Sequence, residues 1–171
     1  AMPGGFIVLH SGLILKAESP EEVAGVIAHE VAHVTRQHSM QQLINTAGIY
    51  LIMQAFLGNL EGLFAVLVGN SSYLLTLEFS RRFERDADET AWRYLRQANI
   101  NPLGFITFFE KLQEEQGDAA EAVPDVLSTH PATEERIATL QRKYESEEKK
   151  SGFHKFRLDF SQFQRDIRNR L

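Results

Sequence analysis

The sequence predicts one α+β domain, predominantly helical, with a small β-sheet. Three observations lead there. Apolar residues recur at helical spacing along most of the chain, between recognisable helix starts and stops. Only two short runs have strand character, Phe6-Ile7-Val8-Leu9 and the alternation Phe156, Leu158, Phe160. The chain has 171 residues, 43% hydrophobic and 24% charged, enough for a single substantial core.

The elements follow in order. Pro3-Gly4-Gly5 is a turn that leads into the strand Phe6 to Leu9. A lone strand leaves its backbone groups unpaired, so a preceding part of the parent protein is expected to supply its partner. The opening Ala1-Met2-Pro3 has no signal-peptide character, and a targeting segment is expected in that preceding part. Ser11 to Ala17 is a short helical turn. Ser19-Pro20-Glu21-Glu22 is a strong helix start: Ser at the N-cap, Pro at the first helical position, acids in the first turn. That helix is expected to run to about His38. Leu43 to Val68 is unusually apolar, but Glu61 and the Gly58-Asn59 break argue against the roughly 20 apolar residues of a membrane span. Two core helices joined by a turn are expected there, with a membrane-apposed or substrate-lining surface as the alternative. A charged helix spans Leu74 to about Ala98 and ends at Asn99-Ile100-Asn101-Pro102. The next runs from Leu103 to Gln116, capped by Gly117, and a loop covers Ala119 to Val126. Thr133 starts another helix, which runs to about Glu145. Residues 1–145 then form the main domain. Residues 146–171 form a C-terminal extension, a short strand plus a helix over Phe163 to Leu171, packed on the same domain.

Composition excludes several classes. The net charge of −5 makes nucleic acid an unlikely partner. With no cysteine, disulfides and thiolate metal ligands are excluded, and any metal site must use His, Asp and Glu.

The chemistry is carried by His29-Glu30-Val31-Ala32-His33, an HExxH motif in the interior of the helix begun at Ser19. Histidines four apart project from one helix face and can reach one zinc ion. Glu30 between them can take a proton from a zinc-bound water. The motif points to a zinc hydrolase, foremost a peptidase. A catalytic zinc needs a third protein ligand. The extended form HExxHxxGxxH fails, because Arg36 and Ser39 stand at the glycine and final histidine positions. His38, five residues past His33, lies about 140° further round an ideal helix and is expected to point away. The charged helix offers Glu78, Glu84, Asp86, Asp88 and Glu89. Glu84 and Asp88 share a face, so one could ligate while the other orients a ligand histidine. The plain alternative is that these acids pair with Arg81, Arg82 and Arg85 on a solvated face.

The chain resembles the HtpX and CAAX-prenyl-endopeptidase family of zinc metallopeptidases, and within it the BepA-like periplasmic branch. The matching stretches are Pro3 to Val8 with Ser11-Gly12-Leu13, then Val26 to Val34, then Glu84-Arg85-Asp86-Ala87-Asp88, where Asp86 replaces the usual glutamate. Asn101-Pro102, Thr129-His130-Pro131 and Arg136-Ile137 also fit. The resemblance implies a zincin-type, gluzincin-like domain with His29, His33 and Glu84 as ligands of one Zn2+. It further implies Glu30 as general base and Asp88 behind a ligand histidine. It places the His130 loop beside the site, so His130, and less favourably Arg136, is the candidate stabiliser of the developing oxyanion. His130 could instead swing onto the open metal position as a latch, or be an ordinary helix-entry residue. His10 and His154 are read as structural or surface residues.

Two functions compete. One is a zinc endopeptidase that degrades unfolded or misassembled protein substrates in the bacterial periplasm or cell envelope. Its substrate would pair with the Phe6–Leu9 edge, and residues 43–68 offer a surface for a membrane or membrane protein. The other is a latent or chaperone-like client-binding module with a self-inhibited zinc site, for which 43–68 would be the client surface. Intact His29, Glu30 and His33 favour the enzyme.

Overall fold

The computed structural model describes residues 1, 4–57, 63–118, 130, 133–148 and 150–171, and seven helices lie within them. They are α1 (Ser11–Lys16), α2 (Pro20–Thr35), α3 (His38–Leu57), α4 (Leu63–Gln97), α5 (Leu103–Asp118), α6 (Glu134–Glu145) and α7 (Phe160–Arg168). Among the described residues there is no strand; Phe6 alone makes a single β-bridge. The expected strands at 6–9 and 156–160 are therefore corrected to irregular chain. Strand-like alternation yields a sheet only where a neighbour pairs the backbone, and among the described residues of these segments only Phe6 is bridged. Phe6 and Val8 are exposed.

Local chemistry sets the helix ends. Ser19 has extended backbone and its hydroxyl accepts from the Glu22 N–H at 3.3 Å, with Pro20 at the first helical position. α4 ends in a Schellman turn: Asn99 adopts φ 56°, Ile100 N–H bonds Leu95 O at 2.8 Å, and Asn99 N–H bonds Arg96 O at 3.1 Å. Asn101 Oδ1 then accepts from Leu103 N–H at 3.1 Å and opens α5. α5 continues through Gly117 to Asp118, so the expected glycine cap is not used. The turn expected between the two apolar helices at Gly58-Asn59 and the loop expected at 119–126 lie outside the described residues. The apolar stretch is divided between α3 and the start of α4, which continues unbroken into the charged segment. No described helix is long and apolar enough to cross a membrane.

α2 lies against both α4 and α5. The core between and beside them holds Trp92, Leu95, Phe105, Ile106, Phe108 and Leu112, closed by Ile137 and Leu140 of α6. Small residues permit this close approach. A Cβ on Gly25 would come within 2.7 Å of Phe105 Cα, and one on Gly104 within 2.6 Å of the Glu21 carbonyl carbon. On the α4 side, Ala32, Ala87 and Ala91 are fully buried. α7 docks on α1 through Gln164, whose amide donates to Ile14 O at 2.8 Å and Ala17 O at 2.7 Å.

Candidate active site

The small residues of α2 bring its polar residues against α4. His29, Glu30 and His33 are all buried, as are Glu84 and Asp88 one turn apart on α4. His29 Nε2 lies 3.0 Å from His33 Nε2. Glu84 closes a triangle, with Oε2 3.2 Å from His29 Nε2 and Oε1 3.3 Å from His33 Nε2. A tetrahedral ion with bonds of about 2.0–2.1 Å separates its ligand atoms by about 3.3 Å. The three groups thus have the spacing of three corners of such a coordination shell. Glu84 Oε2 is buried without an aligned donor, although Arg136 Nη1 approaches to 2.9 Å. Converging donors of this kind fit a divalent cation. With imidazole and carboxylate ligands and no thiolate, zinc suits the set.

Burial and neighbouring charges set the protonation of the triangle. Burial works against ionising Glu84, but the hydrogen bond from His130 and the close approach of the His29 and His33 rings outweigh it and hold the carboxyl far below the usual range. Burial pushes His33 down, Glu84 offsetting this only in part, and favours the neutral ring that can ligate. His29 goes the other way. Burial would lower it, but Asp88 and Glu84 together raise it to about 9. Asp88 Oδ1 lies 3.0 Å from His29 Nδ1, close but out of line for a full hydrogen bond. Asp88 is itself clamped by Arg136, whose Nε and Nη2 each donate at 2.7 Å. Arg136 also lies over the Phe109 ring, 4.7 Å from its centroid. Burial disfavours the charges of both partners, and their bidentate pairing overrides it: Asp88 is lowered and Arg136 raised.

His130 joins the same cluster. Its Nδ1 donates to Glu84 Oε1 at 2.8 Å, and its Nε2 lies 3.6 Å from Glu30 Oε1. One donor atom each from His29, His33, Glu84 and His130 lie within 4.8 Å of one another. His10 and His154 are exposed and stand outside the cluster.

One expectation is corrected. His38 does not point away: it is buried, with Nδ1 3.1 Å from His33 Nδ1. The ideal-helix extrapolation failed because α2 stops at Thr35, and Gln37 takes φ 56° before α3 begins at His38. The left-handed residue folds His38 back toward the helix it follows. The available signal was the polar run Thr35-Arg36-Gln37, which ends the buried stripe of α2.

Comparison with known proteins places the chain in a family. A family model described as peptidase family M48 matches residues 1–144. The chain is 29% identical over 152 residues to the beta-barrel assembly-enhancing protease of Escherichia coli K12, covering 82% of this chain and 31% of that protein. It is 34% identical over 146 residues to the metalloprotease LoiP of the same organism, covering 82% and 56%. It is 36% identical over 140 residues to the mitochondrial metalloendopeptidase OMA1 of Arabidopsis thaliana, covering 81% and 28%. The chain thus spans about a third of the length of the barrel-assembly protease it matches. No solved structure matches it.

Proposed function

We propose, since this chain belongs to peptidase family M48, that it is a zinc-dependent endopeptidase acting on unfolded or misassembled proteins of the cell envelope. The observation that carries the reading is the triangle of His29, His33 and Glu84 with 3.0–3.3 Å edges, with Glu30 beside it. These three residues would hold the metal. When bound, zinc polarises the scissile carbonyl and makes its water acidic enough to deprotonate near neutral pH.

The chain's own residues do the rest. Glu30, buried beside the triangle, takes the proton of the attacking water and passes it to the leaving amine. Asp88 stands behind His29 and keeps the proton on Nδ1, so that Nε2 faces the metal. Arg136 holds Asp88 in place and neutralises part of the carboxylate charge. His130 closes the fourth side of the donor cluster, bound to Glu84, either as a latch that must leave for substrate to enter or as a donor to the developing oxyanion. An envelope location is inferred from the likeness to a beta-barrel assembly-enhancing protease.

The test is cleavage of casein by zinc-loaded protein beside a Glu30→Gln twin. Loss of about 10²–10⁴ in rate is expected in the twin, with its zinc content unchanged. Equal cleavage by both would remove Glu30 as the base. His130→Ala then separates its two roles, because a latch yields higher activity on removal and a transition-state donor yields lower.

A further inference from the structure

We propose that His38 and Asp86 form a positioning relay behind His33, setting which of its nitrogens faces the metal. The inference rests on the metal reading above and extends it to residues outside the ligand set. If His33 presents its Nε2 lone pair to an ion, its ring proton must sit on Nδ1. That nitrogen is 3.1 Å from His38 Nδ1. Two facing nitrogens cannot both carry the proton, so His38 accepts at Nδ1 and holds its own proton on Nε2. His38 Nε2 lies 2.9 Å from Asp86 Oδ2, a carboxylate that can only accept. Each proton in the chain is thereby specified by the next partner, and the chain ends on a fixed charge. Arg36 fixes that charge, donating from Nε at 2.6 Å and from Nη2 at 3.2 Å.

The two histidines are therefore backed alike. Behind His29 stands Asp88, clamped by Arg136. Behind His33 stands Asp86, clamped by Arg36, with one imidazole inserted to span the longer gap. His38 is held for this task. It is 3% exposed, and its ring stacks on Phe83 at 4.7 Å between centroids and 23° between planes. A histidine that merely filled space there would not need both nitrogens matched to polar partners. Outer partners of this kind typically change metal affinity 10–100-fold when lost.

The test compares the parent, His38→Phe, His38→Gln and Asp86→Ala for zinc affinity, by competition with a chromophoric chelator. Metal-free melting temperature and the ¹⁵N shifts of the His33 ring are recorded on the same samples. His38→Phe keeps the stack on Phe83 and removes the acceptor. It is expected to bind zinc about 10–100-fold more weakly while melting near the parent. The amide of His38→Gln can accept from His33 and donate to Asp86, and is expected to recover most of that loss. Asp86→Ala, at a half-exposed position that does not threaten folding, is expected to weaken zinc and move the His33 nitrogen shifts. The relay is overturned if His38→Phe and Asp86→Ala both bind zinc like the parent, or if His38→Gln is as weak as His38→Phe. A parent that binds no zinc, or a His33→Ala control that binds as tightly as the parent, would instead refute the metal reading and the relay with it.

Discussion

Zinc binding to this site should expel a proton from His29. In the metal-free protein the ring sits between Asp88 and Glu84, which overcome burial and raise it to about 9. At pH 7.5 the ring is then protonated by about 30 to 1, and it must be neutral to ligate. Removing that proton costs about 2 kcal/mol, 1.5 pH units at about 1.36 kcal/mol each. Zinc affinity should therefore rise about tenfold per pH unit from 7 toward 9 and level off above that. Isothermal titration calorimetry at pH 7.5 in buffers of differing ionisation enthalpy would read the protons released. At least about one per ion is expected. A slope near zero would show that His29 is already neutral, and that Asp88 and Glu84 do not charge it. The same shift has a stability sign. A pKa raised in the folded state stabilises the fold fully below the unfolded value of 6.5 and ceases to do so as pH rises through about 9. The metal-free protein should thus melt lower as pH rises across that window, and the zinc-loaded protein should not follow it.

Further predictions concern the packing that builds the site. Gly25→Ala drives a Cβ into the Phe105 backbone at 2.7 Å, which cannot move aside. The ordinary gain of about 0.5–1 kcal/mol from replacing a helical glycine should be outweighed by about 1–3 kcal/mol of overpacking, read as a lower melting temperature. Arg136→Met leaves Asp88 and Glu84 buried without their guanidinium and should cost about 3–5 kcal/mol in urea unfolding. Because Arg136 holds the Asp88 carboxyl below its ordinary 3.8, the stability it confers is present above that pH and is lost as pH falls through the lowered value. The gap between parent and Arg136→Met should narrow accordingly in acid. Ser19→Ala removes the hydroxyl that accepts from Glu22 N–H and should lower stability by about 1 kcal/mol.

Much of this site was legible as local pattern. The Ser19-Pro20 start and the His29-Glu30-His33 spacing are properties of a single helix, where 3.6 residues per turn fixes which side chains share a face. Absence of cysteine by itself limits the donors to imidazole and carboxylate. Spacing also put Glu84 and Asp88 on one face of α4. It left open whether that face met α2 or solvent, because the arginines at 81, 82 and 85 offered equally good partners. The two strand readings failed because pairing is a property of neighbours, which periodicity does not contain.

Helix content, caps and the catalytic-type spacing thus follow from short-range chain geometry, which a sequence encodes residue by residue. The meeting of α2 with α4 and α5 depends on small residues, Gly25 against Phe105 and Gly104 against Glu21, with Ala87 and Ala91 fully buried on α4. The placement of His38 behind His33 depends on one left-handed residue, Gln37, that breaks the helix between them. Both are relations between elements, set by packing after the helices exist, and so they emerged only with the tertiary structure.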